Sequence, residues 1–211
     1  HRRGDRYIPL GIGRAVADVH AADLDADGDV DLAVADGDAP SITVLYNNGQ
    51  GSFNVRNSYE VGAGPVALVS ANLDEDGHRD LVVANAGSGT LSVLRNNRLG
   101  GFQAHQAYDV GGAAGSLAVG DGDADGDEDI FAGVAAGPTS ALLRNDGQGR
   151  FVAGQILQLQ AAPADLGLAD LTSDIFSDLV VVSGEQPYGV FWENDGGKGF
   201  IARDTLATNS P

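Results

Sequence analysis

Short apolar runs alternate with polar, glycine-containing stretches along the whole chain, and the alternation keeps a fixed step. Leu32, Leu81, Ile130 and Leu179 each open such a run, and consecutive members stand 49 residues apart. The same step joins Phe53, Phe102, Phe151 and Phe200, and likewise Asn47, Asn96, Asn145 and Asn194. A self-similar period of this length without insertions predicts a repeat architecture, in which each unit buries its faces against its neighbours.

Within the second unit the pattern predicts a strand over Pro65–Ala71, a loop over 72–80, and strands over Leu81–Asn85, Thr90–Asn96 and Phe102–Val110. Gly87-Ser88-Gly89 and Arg98-Leu99-Gly100-Gly101 supply the turns. Four short strands per unit make one blade of a β-propeller. Continuous apolar runs such as Leu81-Val82-Val83-Ala84 suit strands covered on both faces by adjacent blades, and Ala113-Ala114-Gly115-Ser116 suits the crowded inner side of a tapering blade. The expectation is one all-β repeat domain over 1–211, with blades at about 14–61, 63–110, 112–159 and 161–208. Counting back 49 residues from Tyr59-Glu60-Val61 reaches Leu10-Gly11-Ile12, so Tyr7 to Ile12 reads as a spare copy of the fourth strand, while Asp204 to Thr208 supplies that strand for the last blade. An unpaired strand is a template for another chain, which makes head-to-tail self-association into an oligomer or filament an expectation.

The loop between the first two strands of each unit carries the candidate chemistry. In the first unit Asp23, Asp25 and Asp27 stand at positions 1, 3 and 5, a glycine at 6, the carbonyl of Asp29 at 7 and Asp31 at 9. That order suits a hard cation taking six to eight oxygens, and carboxylates packed this closely repel one another unless a cation sits between them. The second loop offers Asn72, Asp74, Asp76, the carbonyl of His78 and Asp80; the third offers Asp121, Asp123, Asp125, the carbonyl of Asp127 and Asp129. The fourth, 170–178, has Thr172 at position 3 and Ile175 where the turn wants glycine, so a positive φ there is costly and the loop is expected to stay empty. These are not EF-hands, because position 12 of the first loop is Val34 and the flanking segments are short and strand-like.

Composition narrows the function. The net charge is -18, which argues against nucleic acid and anionic membrane as partners, since both call for clustered Lys and Arg. Because 18 of the 30 acidic residues fall in the four loops, the charge is mainly a property of the metal sites. There is no Cys and no apolar run long enough to span a membrane, and the chain starts at His1 without a Met anywhere, which reads as a processed form or an excised segment. Sites this acidic depend on the high calcium outside cells, so the expected location is secreted or at the cell surface.

The run Asp-Leu-Asp-x-Asp-Gly-x-x-Asp-Leu and the Val/Ala-rich strand after it are followed by Ser92-Val93-Leu94-Arg95-Asn96-Asn97 and Gly-Phe, with Gly64-Pro65 entering a unit. Together these resemble the FG-GAP or VCBS-type repeat over all four units. The resemblance implies a calcium-binding propeller like the head domains of integrin α subunits, used in adhesion or carbohydrate contact. The chain departs from that family in having four units where seven are common.

Other candidates are weaker. His20, His78 and His105 fall at unrelated positions of their units, and no nucleophile elbow, P-loop or dinucleotide fingerprint occurs, so catalysis is not expected. Trp192 stands where other units have Leu45, Leu94 and Leu143 and reads as core. Tyr188, beside Gln186 and Pro187, offers a ring for a sugar, and Arg3-Gly4-Asp5 matches an integrin-recognition tripeptide. The functional expectation is an extracellular calcium-binding module for adhesion, ligand binding or self-assembly, with a protein or glycan partner. The alternative is a non-catalytic segment of a larger carbohydrate-active enzyme or seven-bladed adhesin.

Overall fold

The computed structural model describes residues 15–135, 137–184, 188–196 and 198–207, with the backbone alone at 188 and 204–207. The spare strand over Tyr7 to Ile12, the tripeptide at Arg3-Gly4-Asp5, and Gln186 and Pro187 lie outside the described residues. Among the described residues every regular element is a strand.

Four antiparallel meanders follow one another. The first holds β1 (Val16–Ala22), β2 (Asp31–Asp36), β3 (Ser41–Tyr46) and β4 (Val55–Glu60), and the second β5 (Pro65–Ala71), β6 (Asp80–Asn85), β7 (Thr90–Leu94) and β8 (Gln106–Asp109). The third holds β9 (Ala114–Gly120), β10 (Asp129–Val134), β11 (Thr139–Asn145) and β12 (Phe151–Gln158), and the fourth β13 (Pro163–Ala169), β14 (Asp178–Ser183), β15 (Tyr188–Asn194) and β16 (Phe200–Ala207). Sequence and structure differ in the second unit. Its third strand stops at Leu94, Phe102 makes only an isolated bridge to Asn96, and the fourth strand begins at Gln106.

The blades stack in chain order, with the small-residue inner strands β1, β5, β9 and β13 packed each on the next. Strand alternation then divides the apolar side chains between two neighbours. In β6, Leu81 and Val83 join a core with the first blade, whereas Val82 and Ala84 join a core with the third. In β10, Ile130 and Ala132 face the second blade and Phe131 the fourth. Both strands are therefore buried along their whole length, while the outer strands β4 and β8 are mostly exposed. The repeating phenylalanine pins each blade to the one before. Phe102 meets Tyr59, Phe151 meets Tyr108 and Phe200 meets Phe131, all edge-on, with ring centroids 5.2–5.5 Å apart. Trp192 packs partly buried against the core between the third and fourth blades, as its alignment with three leucines implies.

Candidate metal centres

Each loop between the first two strands of a blade is shaped by its own side chains. At position 1, Asp23 accepts the amides of Ala26 and Gly28 at 2.8 and 3.0 Å, and Asp121 accepts those of Ala124 and Gly126 at 2.7 and 3.0 Å. At position 5, Asp27, Asp76 and Asp125 accept the amide two residues on. The chain winds tightly enough to give a positive φ at position 4, where Ala26, Glu75 and Ala124 adopt it, and at position 6, where Gly28, Gly77 and Gly126 take it without strain.

The ninth position has a further task. Asp31, Asp80 and Asp129 are fully buried, and each bridges the loop to the end of the third strand. One oxygen accepts the amide of Leu24, Leu73 or Gly122 at 3.0 Å; the other accepts the amide of Asn47, Asn96 or Asn145 at 2.7–2.8 Å. These asparagines are the residues whose role the sequence did not disclose, although their 49-residue step marked them. The Asn96 amide donates to Arg79 O in its own blade and to Leu24 O in the preceding one; Asn145 does the same to Glu128 O and Leu73 O, and Asn194 to Ser177 O and Gly122 O. One side chain thus fastens two successive loops, and the candidate sites are part of what holds blades in register.

Two loops concentrate carboxylates. Oxygens of Asp23, Asp25 and Asp27 all lie within 4.8 Å of one another, as do those of Asp121, Asp123 and Asp129. Among the described residues, Asp74 Oδ1 and Asp123 Oδ1 are buried without a hydrogen-bond partner. Burial first, then neighbouring carboxylates, lift the carboxyls of Asp25, Asp31 and Asp123, and raise Asp80 to about 6 and Asp129 to about 7 against the pull of their backbone amides. A divalent cation coordinated by oxygen removes that penalty, so the residues fit calcium in kind. The seventh-position carboxylates stand aside. A Cβ at Gly49 or Gly147 would lie 2.6 Å from Oδ2 of Asp29 or Asp127, which places those side chains against the glycine turns and leaves their carbonyls as the expected donors.

The fourth loop keeps the frame. Asp170 accepts Ser173 N and Ile175 N, Asp174 accepts Phe176 N, and the buried Asp178 accepts Leu171 N and Asn194 N. Ile175 adopts φ 76° with its side chain 87% exposed. The costly conformation anticipated for it is therefore present.

Two of the histidines face serine hydroxyls. His20 Nε2 lies 2.9 Å from Ser70 Oγ, and His105 Nδ1 lies 2.9 Å from Ser92 Oγ.

The family model described as FG-GAP-like repeat matches residues 23–83 and again 72–132, together just over half of the chain, with the two matches offset by one period. No curated protein matches the chain. Among solved structures, BBS1N in complex with ARL6DN superposes with a TM-score of 0.65 at 16% identity, over 95% of this chain and 60% of that one. A lectin of Agrocybe aegerita, described as recognising non-reducing terminal N-acetylglucosamine, superposes with a TM-score of 0.62 at 22% identity, over 90% of this chain and 51% of that one. The chain thus spans about half to three fifths of the length of these neighbours, and at such identities the likeness is one of fold.

Proposed function

The chain belongs to the FG-GAP-like repeat family, and from that premise we propose that it is a calcium-binding propeller module that works by presenting a surface to a partner outside the cell. The observation that carries this is the convergence of carboxylates in the first and third loops, Asp23, Asp25 and Asp27 and again Asp121, Asp123 and Asp129. Calcium bound there supplies charge neutralisation and cross-linking within the loop. The chain's own residues do the rest: the ninth-position aspartates fix the loop to the blade, and the Asn96, Asn145 and Asn194 side chains carry that order to the neighbouring loop. Acidic groups that become neighbours only on folding make the metal a folding ligand. The melting temperature should therefore rise on adding excess calcium and fall on adding chelator. Equal melting in the two would end the calcium reading.

A binding role rather than a catalytic one is proposed because the acidic pairs are spoken for as metal ligands, and because the buried Ser92, though beside His105, is closed to a substrate. No helix of the described residues is long and apolar enough to cross a membrane. The partner is a protein, a glycan of the kind the Agrocybe lectin is described as recognising, or a second copy of this chain joined through the segment 7–12, whose sequence position repeats that of a fourth strand. The remaining reading, a non-catalytic segment of a larger carbohydrate-active enzyme or of a seven-bladed adhesin, draws on the fraction of its structural neighbours that this chain spans. A monomeric mass at high concentration in calcium would remove self-assembly from these readings.

A further inference from the structure

The turn that follows the third strand repeats Gly49, Gly147 and Gly196 at one position, and in the second unit that position is Arg98. The backbone there is the same in all four units, with φ of 74°, 59°, 70° and 60° in chain order. Its geometry also fixes where a side chain must go. A Cβ at Gly49 or Gly147 would lie 2.6 Å from the seventh-position aspartate of its own loop, and one at Gly196 would lie 3.1 Å from the ring of Phe176, again the seventh position. A side chain at 98 is therefore directed over its own loop, where the seventh residue is His78. Arg98 accordingly extends to the fifth position and donates from Nε to Asp76, and its own amide is held by Asn96 Oδ1 at 2.9 Å.

The carboxylate and the guanidinium differ in exposure. The Asp76 side chain is 4% exposed and that of Arg98 61%, so the cation keeps contact with water and can leave without being pulled from a core. Position 1 of this loop is Asn72, which brings no charge of its own. Arg144 stands near the third loop as well, but 3.5 Å from Asp123 and with its Nε making no hydrogen bond.

We propose that Arg98 is a resident cation of the second loop that competes with calcium for Asp76, making this the weak site that fills last and releases Arg98 to solvent when it does. The inference rests on the calcium reading above. Stepwise calcium titration of the full chain, with bound ions counted by native mass spectrometry and affinities taken from calorimetry, tests it. In the wild-type chain two ions should bind before a third, and Asp76→Ala should remove the last ion alone. Arg98→Gly should tighten that last step by about two- to fivefold, the range an exposed ion pair commands. Arg98→Asn should do the same, since Asn tolerates the positive φ and leaves backbone strain out of the comparison. Ions that bind with one indistinguishable affinity, unmoved by both Arg98 variants, would overturn the proposal and leave the calcium reading standing. Absence of any bound ion would overturn both.

Discussion

The loops 23–31 and 170–178 have one backbone and two different sets of side chains. Position 1 carries aspartate in both, and it accepts the amides of positions 4 and 6 in both. The ninth-position aspartate is buried in both and ties the loop to the asparagine at the end of the third strand. Five positions differ, and three of them change the chemistry: position 3, Asp25 against Thr172; position 6, Gly28 with φ 94° against Ile175 with φ 76°; and position 7, Asp29 against Phe176. The loop is therefore shaped by its own hydrogen bonds, and the clustering of carboxylates is a separate property laid on that shape. A strained, exposed isoleucine retained in the loop geometry shows how strongly the remaining bonds dictate it.

The largest effect should come from what the two loops share. Asp31→Ala and Asp178→Ala each leave buried backbone amides without an acceptor, and at roughly 1.5–3 kcal/mol for a hydrogen bond to a charged group each should cost about 3 kcal/mol or more in chelator. Denaturant unfolding without calcium measures both. A large loss at Asp31 with none at Asp178 would show that the clamp depends on metal and would break the comparison.

Next should come the loss of a ligand. Asp25→Ala and Asp123→Ala should each remove one ion in native mass spectrometry, whereas Thr172→Ala should remove none. With free calcium at a hundred times the dissociation constant, one lost site corresponds to about 2.7 kcal/mol of calcium-dependent stability. Four ions in the parent chain, falling to three with Thr172→Ala, would mean that Ile175 does not keep the fourth loop from binding.

The smallest effect is the strain itself. Ile175→Gly relieves a left-handed residue that costs on the order of 1–2 kcal/mol, against an unfolded-state entropy gain of about 0.4–1 kcal/mol, so a net stabilisation of about 0.5–1 kcal/mol is expected. Because the Ile175 side chain is 87% exposed, little burial is lost. A thermal melt in chelator suffices, and destabilisation would show that the isoleucine makes a compensating contact.

Much of this was legible along the chain. The 49-residue step located every blade, the loop positions and three of the four strands of the second unit closely. The fourth strand of that unit begins at Gln106 and not at Phe102, which makes one isolated bridge, although the equivalent Phe151 and Phe200 open strands in their units. The order of residues 98–101 marks a turn, but the direction of Arg98 follows only from its contact with Asp76.

Sequence alone determined what depends on near neighbours: strands from short apolar runs between turn residues, turns from glycine and asparagine, and loop curvature from aspartates two to five residues from the amides they accept. Only the stacked blades decided the rest. Asn96, Asn145 and Asn194 reach carbonyls 72 residues back, Leu81 and Val82 pack into different cores, and Arg98 finds Asp76 across 22 residues. Local bonds are set by backbone torsions that each short segment adopts for itself, whereas these contacts exist only once the blades have buried their shared faces and fixed the distance between one loop and the next.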